Sequence, residues 1–323
     1  MNSFLDPAIL FFVFGILAGL LRSNLEIPPP ISRFLSLYLL MALGLKGGFA
    51  LARSGLTADV VISLGVAIVL ALVVPLTGYA LLRRVTGSFD AAAIAATYGS
   101  VSAVTFITAT QFLGTRGIDH GGHMAAAMAL MESPAILIAI MLAVRLRQQA
   151  APGNGQVAAG GPTFRHVLHE SLTDGAQMLL LGAMVIGMVA GESGEAAMKP
   201  FSVDLFRGLL AFFLLDMGLL AARNLGGLRG TSPWLLVYAI LGPVAHASLA
   251  LLLCALTGIG AGNGALLMVL AASASYIAVP AVVRQAIPEA NPSLYFSMSL
   301  GLTFPFNILL GIPLYTQAAL RWL

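Results

Sequence analysis

The chain has 323 residues, 59% of them apolar and only 9% charged, with a net charge of +3 and one cysteine, Cys254. Soluble domains carry about 25% charged residues, so too few polar side chains remain here to cover a water-facing surface. That composition argues against a cytosolic enzyme, a nucleic-acid binder or a disordered chain, and a lone cysteine leaves no intrachain disulfide or thiolate metal cluster.

A membrane helix needs about 20 mostly apolar residues. Such runs are predicted, in chain order, at 7–21, 31–51, 60–82, 91–112, 123–145, 172–191, 203–223, 233–257, 263–284 and 295–319. The first six residues carry no basic cluster, so no cleaved signal peptide is expected. Pro28-Pro29-Pro30, Thr86-Gly87-Ser88 and Gly258-Ile259-Gly260 punctuate the runs. The longest polar stretch, 146–170, reads as a flexible linker. It divides the chain into an N-terminal five-helix repeat (1–147), a cytoplasmic linker (148–166) and a C-terminal five-helix repeat (167–323). Loops after odd-numbered spans hold ten arginines, against five cations in the other loops and termini. By the positive-inside rule the linker is cytoplasmic and both termini are extracytoplasmic.

The halves echo one another. Leu40–Gly44 aligns with Leu214–Gly218, Ser100-Val101-Ser102 with Ser273-Ala274-Ser275, and Glu132-Ser133-Pro134 with Thr303-Phe304-Pro305, at offsets of 174, 173 and 171. Five spans per copy put the second copy into the membrane from the opposite side. The expected fold class is therefore an all-α polytopic membrane protein, ten helices in a 5+5 inverted repeat.

Two stretches predict interrupted helices: Thr97–Thr105 in the fourth span and Ser273–Pro280 in the ninth. Gly99 permits backbone geometry that other residues resist, and Pro280 removes a helical hydrogen bond. A helix that restarts inside the membrane aims unpaired N–H groups and a partial positive charge at the gap, which suits a small anion. The carbonyl ends that stop there suit a cation such as sodium. The alternative is small-residue packing between helices. Lys46, Glu132, Asp216 and His246 are ionisable residues inside spans, where each is costly. Glu132 precedes Ser133-Pro134 and could share a cation with a carbonyl freed by the proline. Lys46 could meet an anion, pair with Asp216 or snorkel. His246 reads as a core histidine. An intramembrane serine hydrolase using Ser100 or Ser102 with His246 would need a base within reach and an orienting carboxylate, and neither is evident.

Several segments together resemble the sodium-dependent bicarbonate transporters of the SbtA type over nearly the whole length. They are Gly44-Leu45-Lys46-Gly47-Gly48, Tyr98–Ser102, Glu132–Ala135, Phe206–Leu210, Ala271–Ser275 and Ala286–Ser293. The resemblance implies bicarbonate uptake coupled to sodium, by an elevator-like movement of a core domain against a gate domain. It also implies a homotrimer in the lipid of the inner membrane, and in some members a cytoplasmic PII-like regulator. By position, Gly99, Ser100, Val101, Ser102, Ala274, Ser275 and Tyr276 fall on the substrate site. Thr105, Ser273, Glu132 and Lys46 fall on coupling-ion or charge positions. No catalytic residue, resident cofactor or metal beyond a bound sodium is expected. The chain departs from the family pattern at Ala274, Tyr276, Ala278-Val279 and Ala103-Val104, where hydroxyl, carboxylate or glycine positions are lost, and at Lys46, where a small hydroxyl residue is usual. A proton-coupled or sodium-independent carrier of another small anion, with the Lys46 ammonium in place of sodium, stays open beside the first reading.

Overall fold

The computed structural model describes residues 6–55, 57–150, 175–228 and 230–323. The polar stretch read as a linker, and with it the domain boundary, lies largely outside these residues. The described residues form helices and turns without a strand. They are α1 (Pro7–Leu20), α2 (Pro29–Ser54), α3 (Ala58–Leu82), α4 (Ser88–Gly99), α5 (Ala103–Gly114) and α6 (Met124–Ala150). After the linker come α7 (Gly175–Lys199), α8 (Phe206–Asn224), α9 (Pro233–Thr257), α10 (Ala261–Ala272), α11 (Ala278–Ala286) and α12 (Pro292–Trp322). Among the described residues, seven helical stretches are long and apolar enough to cross a membrane, α7 and α8 counting as one run and α4 with α5 as another.

Local chemistry sets the helix ends. Proline occupies the first position of α1, α2, α9 and α12, where its missing N–H costs nothing. Asp6 accepts from the Ala8 amide at 2.8 Å and Asn291 from the Ser293 amide at 3.1 Å, so side chains cap α1 and α12. Gly258, at φ +72°, stops α9 with a left-handed turn. The sixth apolar run was expected to end at 191; instead α7 continues to Lys199 through a kink at Gly191, whose φ of +57° breaks the helical ladder there. α12 contains two π turns, Ser297–Thr303 and Asn307–Gly311, before its last segment.

The helices sort into two bundles. α1 packs along α8 and α2 along α7, with α2 also against α8. The other bundle joins α3, α4, α5 and α6 to α9, α10, α11 and α12, with α3·α4 and α9·α10 as equivalent neighbours. Glycines make the first bundle tight. A Cβ on Gly48 would lie 2.9 Å from the Gly187 Cα, and one on Gly218 would lie 3.1 Å from the Gly15 Cα. Backbones approach this closely in lipid only where side chains are absent. The Arg53–Glu195 ion pair adds a second α2–α7 tie. In the second bundle, Arg147 grips Glu289 through two hydrogen bonds of 2.7 and 2.8 Å and the Ala286 carbonyl at 2.8 Å, pinning the end of α6 to the turn before α12.

Candidate functional site

The two expected interruptions are present, and they meet. α4 stops at Gly99 and α5 starts at Ala103; α10 stops at Ala272 and α11 starts at Ala278. The gaps bond to each other: the Ser275 amide donates to the Thr97 carbonyl at 2.8 Å, and the Ser102 amide to Ser273 Oγ at 3.0 Å. Ser273 Oγ in turn donates to the Leu270 carbonyl at 2.9 Å, so one hydroxyl ties both gaps. Asn307 Nδ2 donates to the Ala272 carbonyl at 2.8 Å, and Tyr315 steadies the Asn307 amide oxygen from 3.2 Å. These bonds settle part of the backbone polarity that the breaks would otherwise leave bare.

Hydroxyls cap the restarting helices. Ser102 Oγ accepts from the Thr105 amide at 3.2 Å, and Ser275 Oγ accepts from the Val279 amide at 3.3 Å. The amides at the very start of α5 and α11 have no intrahelical partner by geometry. Both starts line one cavity of about 280 Å³, bounded by Val101–Val104 and Ser275–Ala278. Ser36 and Leu40 of α2 and Gln177 and Leu180 of α7 close it from the other bundle. The site is therefore a gap between bundles into which two helix N-termini open, an arrangement that favours an anion.

Among the described residues, Glu132 of α6 is the one charged side chain lining this cavity. Its Oε2 accepts from Gln177 Nε2 at 2.8 Å, a polar bond across the junction of the bundles. Sequence reasoning found Glu132 and missed Gln177, which sits just past the linker at the start of an apolar run. Tyr276 is buried, approaches Ser102 and stacks edge-on with Phe304 at 5.1 Å; among the described residues its hydroxyl has no partner of good hydrogen-bond geometry.

The remaining candidates divide. Val101, Ser102, Ser275 and Tyr276 line the cavity; Gly99, Ser100, Thr105, Ser273 and Ala274 lie behind it in the walls. The Ser100 hydroxyl is buried without a partner among the described residues. Gly99 ends α4 without a positive φ. Its lack of a side chain serves packing: a Cβ there would lie 2.5–2.8 Å from the ring of Pro75 in α3. Lys46 is not at the breaks. Its ammonium sits 3.9 Å from the centroid of Phe206 and opens on a separate cavity. Nor does it pair with Asp216, whose carboxylate accepts from Ser32 of α2. His246 packs edge-on against Tyr238 at 6.2 Å, and no hydrogen bond joins it to Ser100 or Ser102.

A sequence model described as the Na+-dependent bicarbonate transporter superfamily matches residues 7–320, nearly the whole chain. The chain belongs to that superfamily. Membership, with the seven long apolar helices among the described residues, makes it a multi-pass membrane transport protein. No curated protein matches the chain.

Proposed function

We propose that this protein is a secondary active transporter of a small anion, bicarbonate first, coupled to sodium. The observation that carries the reading is the pair of helix starts, α5 and α11, opening on one cavity between two bundles. A bicarbonate there takes hydrogen bonds from first-turn amides and from Ser102 and Ser275, with Tyr276 as a further donor. A sodium ion carried beside it takes carbonyls at the ends of α4 and α10, with Ser273 and Thr105 nearby and the Glu132 carboxylate offsetting its charge. Hard oxygen donors of this kind suit sodium.

The chain crosses the membrane ten times in two inverted copies, α4–α5 and α10–α11 each forming one broken crossing. The equivalence of α1·α8 with α7·α2, and of α3·α4 with α9·α10, supports that symmetry. The first bundle serves as the gate. The second moves against it, carrying the helix breaks past Ser36, Leu40 and Gln177. Three copies assemble in the inner membrane through the gate bundle, with both chain termini outside the cell and the linker inside. A PII-like protein on the cytoplasmic side would be a regulator, not a part of the path.

Sodium-independent carriage with Lys46 in sodium's place needs that ammonium beside the breaks, and it opens on another cavity. The test is uptake of labelled bicarbonate into proteoliposomes with and without a sodium gradient, using small carboxylates as competitors. Sodium-driven, saturable uptake is expected. Uptake that ignores sodium removes the coupling, and no bicarbonate uptake removes the substrate.

A further inference from the structure

Lys46 has no role in the transport cycle described above, yet its setting is an unusual one for an ammonium inside a membrane helix. It lies eight residues before the end of α2, about 12 Å of helix at 1.5 Å per residue. That is farther than a lysine stem reaches by snorkelling. Among the described residues no carboxylate forms an ion pair with it. Among the described residues its close partner is the Phe206 ring at 3.9 Å, and a cation–π contact falls well short of offsetting a dry, unpaired charge. Arg207, close enough to act on Lys46 electrostatically, adds to the positive field instead of relieving it.

The ammonium faces a cavity of about 230 Å³ whose wall includes Thr110, Gln111, His120 and the Gly121-Gly122 backbone. His120 Nδ1 is buried there, without a partner of good hydrogen-bond geometry among the described residues. Burial holds the His120 imidazole below its usual pKa, so it is neutral at pH 7 and can offer a single N–H. Asp119, the adjacent acid, is exposed. The Gly121 amide is already committed to Asn263 Oδ1 at 2.7 Å, which fixes the loop that forms the rim.

Position gives this cavity a meaning. Along α2 it is lined by Leu43, Lys46 and Ala50, whereas the helix-break cavity is lined by Ser36 and Leu40. Along α5 it is lined by Phe106, Thr110 and Gly114, whereas the other takes Ala103 and Val104. Both helices therefore run from one cavity into the other, and the two spaces lie end to end in the seam between the bundles.

We propose that Lys46 and His120 form a second anion site, a waiting position for the transported anion on the far side of the helix breaks. Its waiting role rests on the transport reading; its binding of an anion does not. The chemistry selects a small monovalent oxyanion. One ammonium supplies the charge, the imidazole and the Gln111 amide on the cavity wall supply directed donors, and the volume leaves room for a few heavy atoms with a water.

The test uses the full chain in lipid nanodiscs with 13C-bicarbonate as probe, read by its NMR line broadening. In Ser102→Ala/Ser275→Ala protein, where the helix-break site is weakened, saturable broadening is expected to persist. Adding Lys46→Met, or His120→Ala should the first variant fold poorly, is expected to reduce it at least several-fold; Lys46→Arg should preserve it. In liposomes, Lys46→Met alone should raise the half-saturating bicarbonate concentration several-fold. Broadening that is absent from Ser102→Ala/Ser275→Ala protein, or unchanged by both added substitutions, overturns the site. Lys46-dependent broadening without uptake by the wild type keeps the site and sinks the transport reading instead.

Discussion

Replacing Ser102 and Ser275 with alanine separates two jobs that their hydroxyls perform. Each oxygen caps a restarting helix, through Thr105 at 3.2 Å and Val279 at 3.3 Å. Loss of a serine cap costs about 1 kcal/mol, so the double variant should lose about 2 kcal/mol of stability if the sites act independently. Each hydroxyl also faces the cavity, where a hydrogen bond to a charged ligand is worth about 1.5–3 kcal/mol. Losing one such bond weakens binding about tenfold or more, and losing both about a hundredfold or more. The assay pairs thermal melting of the purified protein with concentration-dependent bicarbonate uptake at matched protein per liposome. Melting should drop modestly while the half-saturating concentration rises steeply. Threonine at both positions keeps each oxygen and should recover most of the affinity. A double alanine variant that melts earlier but takes up bicarbonate with wild-type affinity would show that the hydroxyls only cap their helices, and the site argument would fail.

Other outcomes follow from single contacts. Glu132→Gln keeps an acceptor for Gln177 across the 2.8 Å bond and removes only the charge; melting should hold while sodium-driven uptake falls about tenfold or more, the cost of roughly one charge-assisted hydrogen bond. Wild-type flux in this variant would take Glu132 out of the site. Gly48→Val puts a side chain 2.8 Å from the Met188 amide and 2.9 Å from the Gly187 Cα, so the α2–α7 crossing should lose about 1–3 kcal/mol or more to overpacking. Gly65→Ala, with open space around it, should gain up to about 1 kcal/mol by helix propensity, and equal melting shifts for the two would refute the packing argument. Arg147 beside Glu289 holds that carboxyl below the ordinary glutamate range. The pair therefore stabilises the fold above the unfolded-state pKa and loses that contribution as pH falls through the lower folded value. Both side chains are about a third exposed, so Glu289→Gln should cost at most about 1 kcal/mol at pH 7, and the gap from wild type should close in acid. A gap that widens in acid would reverse the sign of the argument.

What the sequence disclosed, and what it withheld, follows from the range of each interaction. Helix breaks are local: Gly99 to Ser102 and Ser273 to Pro280 combine small, hydroxylic and ring-constrained residues, and the gaps fall within those stretches. Glu132 was legible because a carboxylate in an apolar run is expensive wherever it points. Lys46 was legible for the same reason, but its neighbours depend on the rotation of α2 and the approach of α5 and α8, which no local pattern encodes. Gln177 and Asn307 were missed because neutral amides raise no comparable alarm. Yet each was visible as a lone amide within or at the edge of an apolar helix: Gln177 shares a face with Leu180 three residues on, and Asn307 interrupts the run Phe304–Ile308. The packing demand on Gly99 comes from Pro75, 24 positions earlier, and so is not encoded in the local pattern around the break.

The distribution of polar bonds bears on where the molecule can give. Within the first bundle, glycine crossings bring backbones into contact and Arg53–Glu195 spans α2 and α7. Within the second, the gaps are cross-bonded by Thr97, Ser102, Ser273 and Ser275, and Arg147 clamps the end of α6. Across the seam lie the cavity, the Lys46 cavity and the Glu132–Gln177 bond. Opening packed glycines would strip close backbone contacts with nothing in lipid to replace them. The seam also holds direct packing, Phe12 against Phe304 at 5.4 Å and α8 against α12, while its polar groups can be met by water entering the cavities. The proposed movement of one bundle against the other therefore runs along the surface that holds both cavities, and it carries both helix starts with it as a unit.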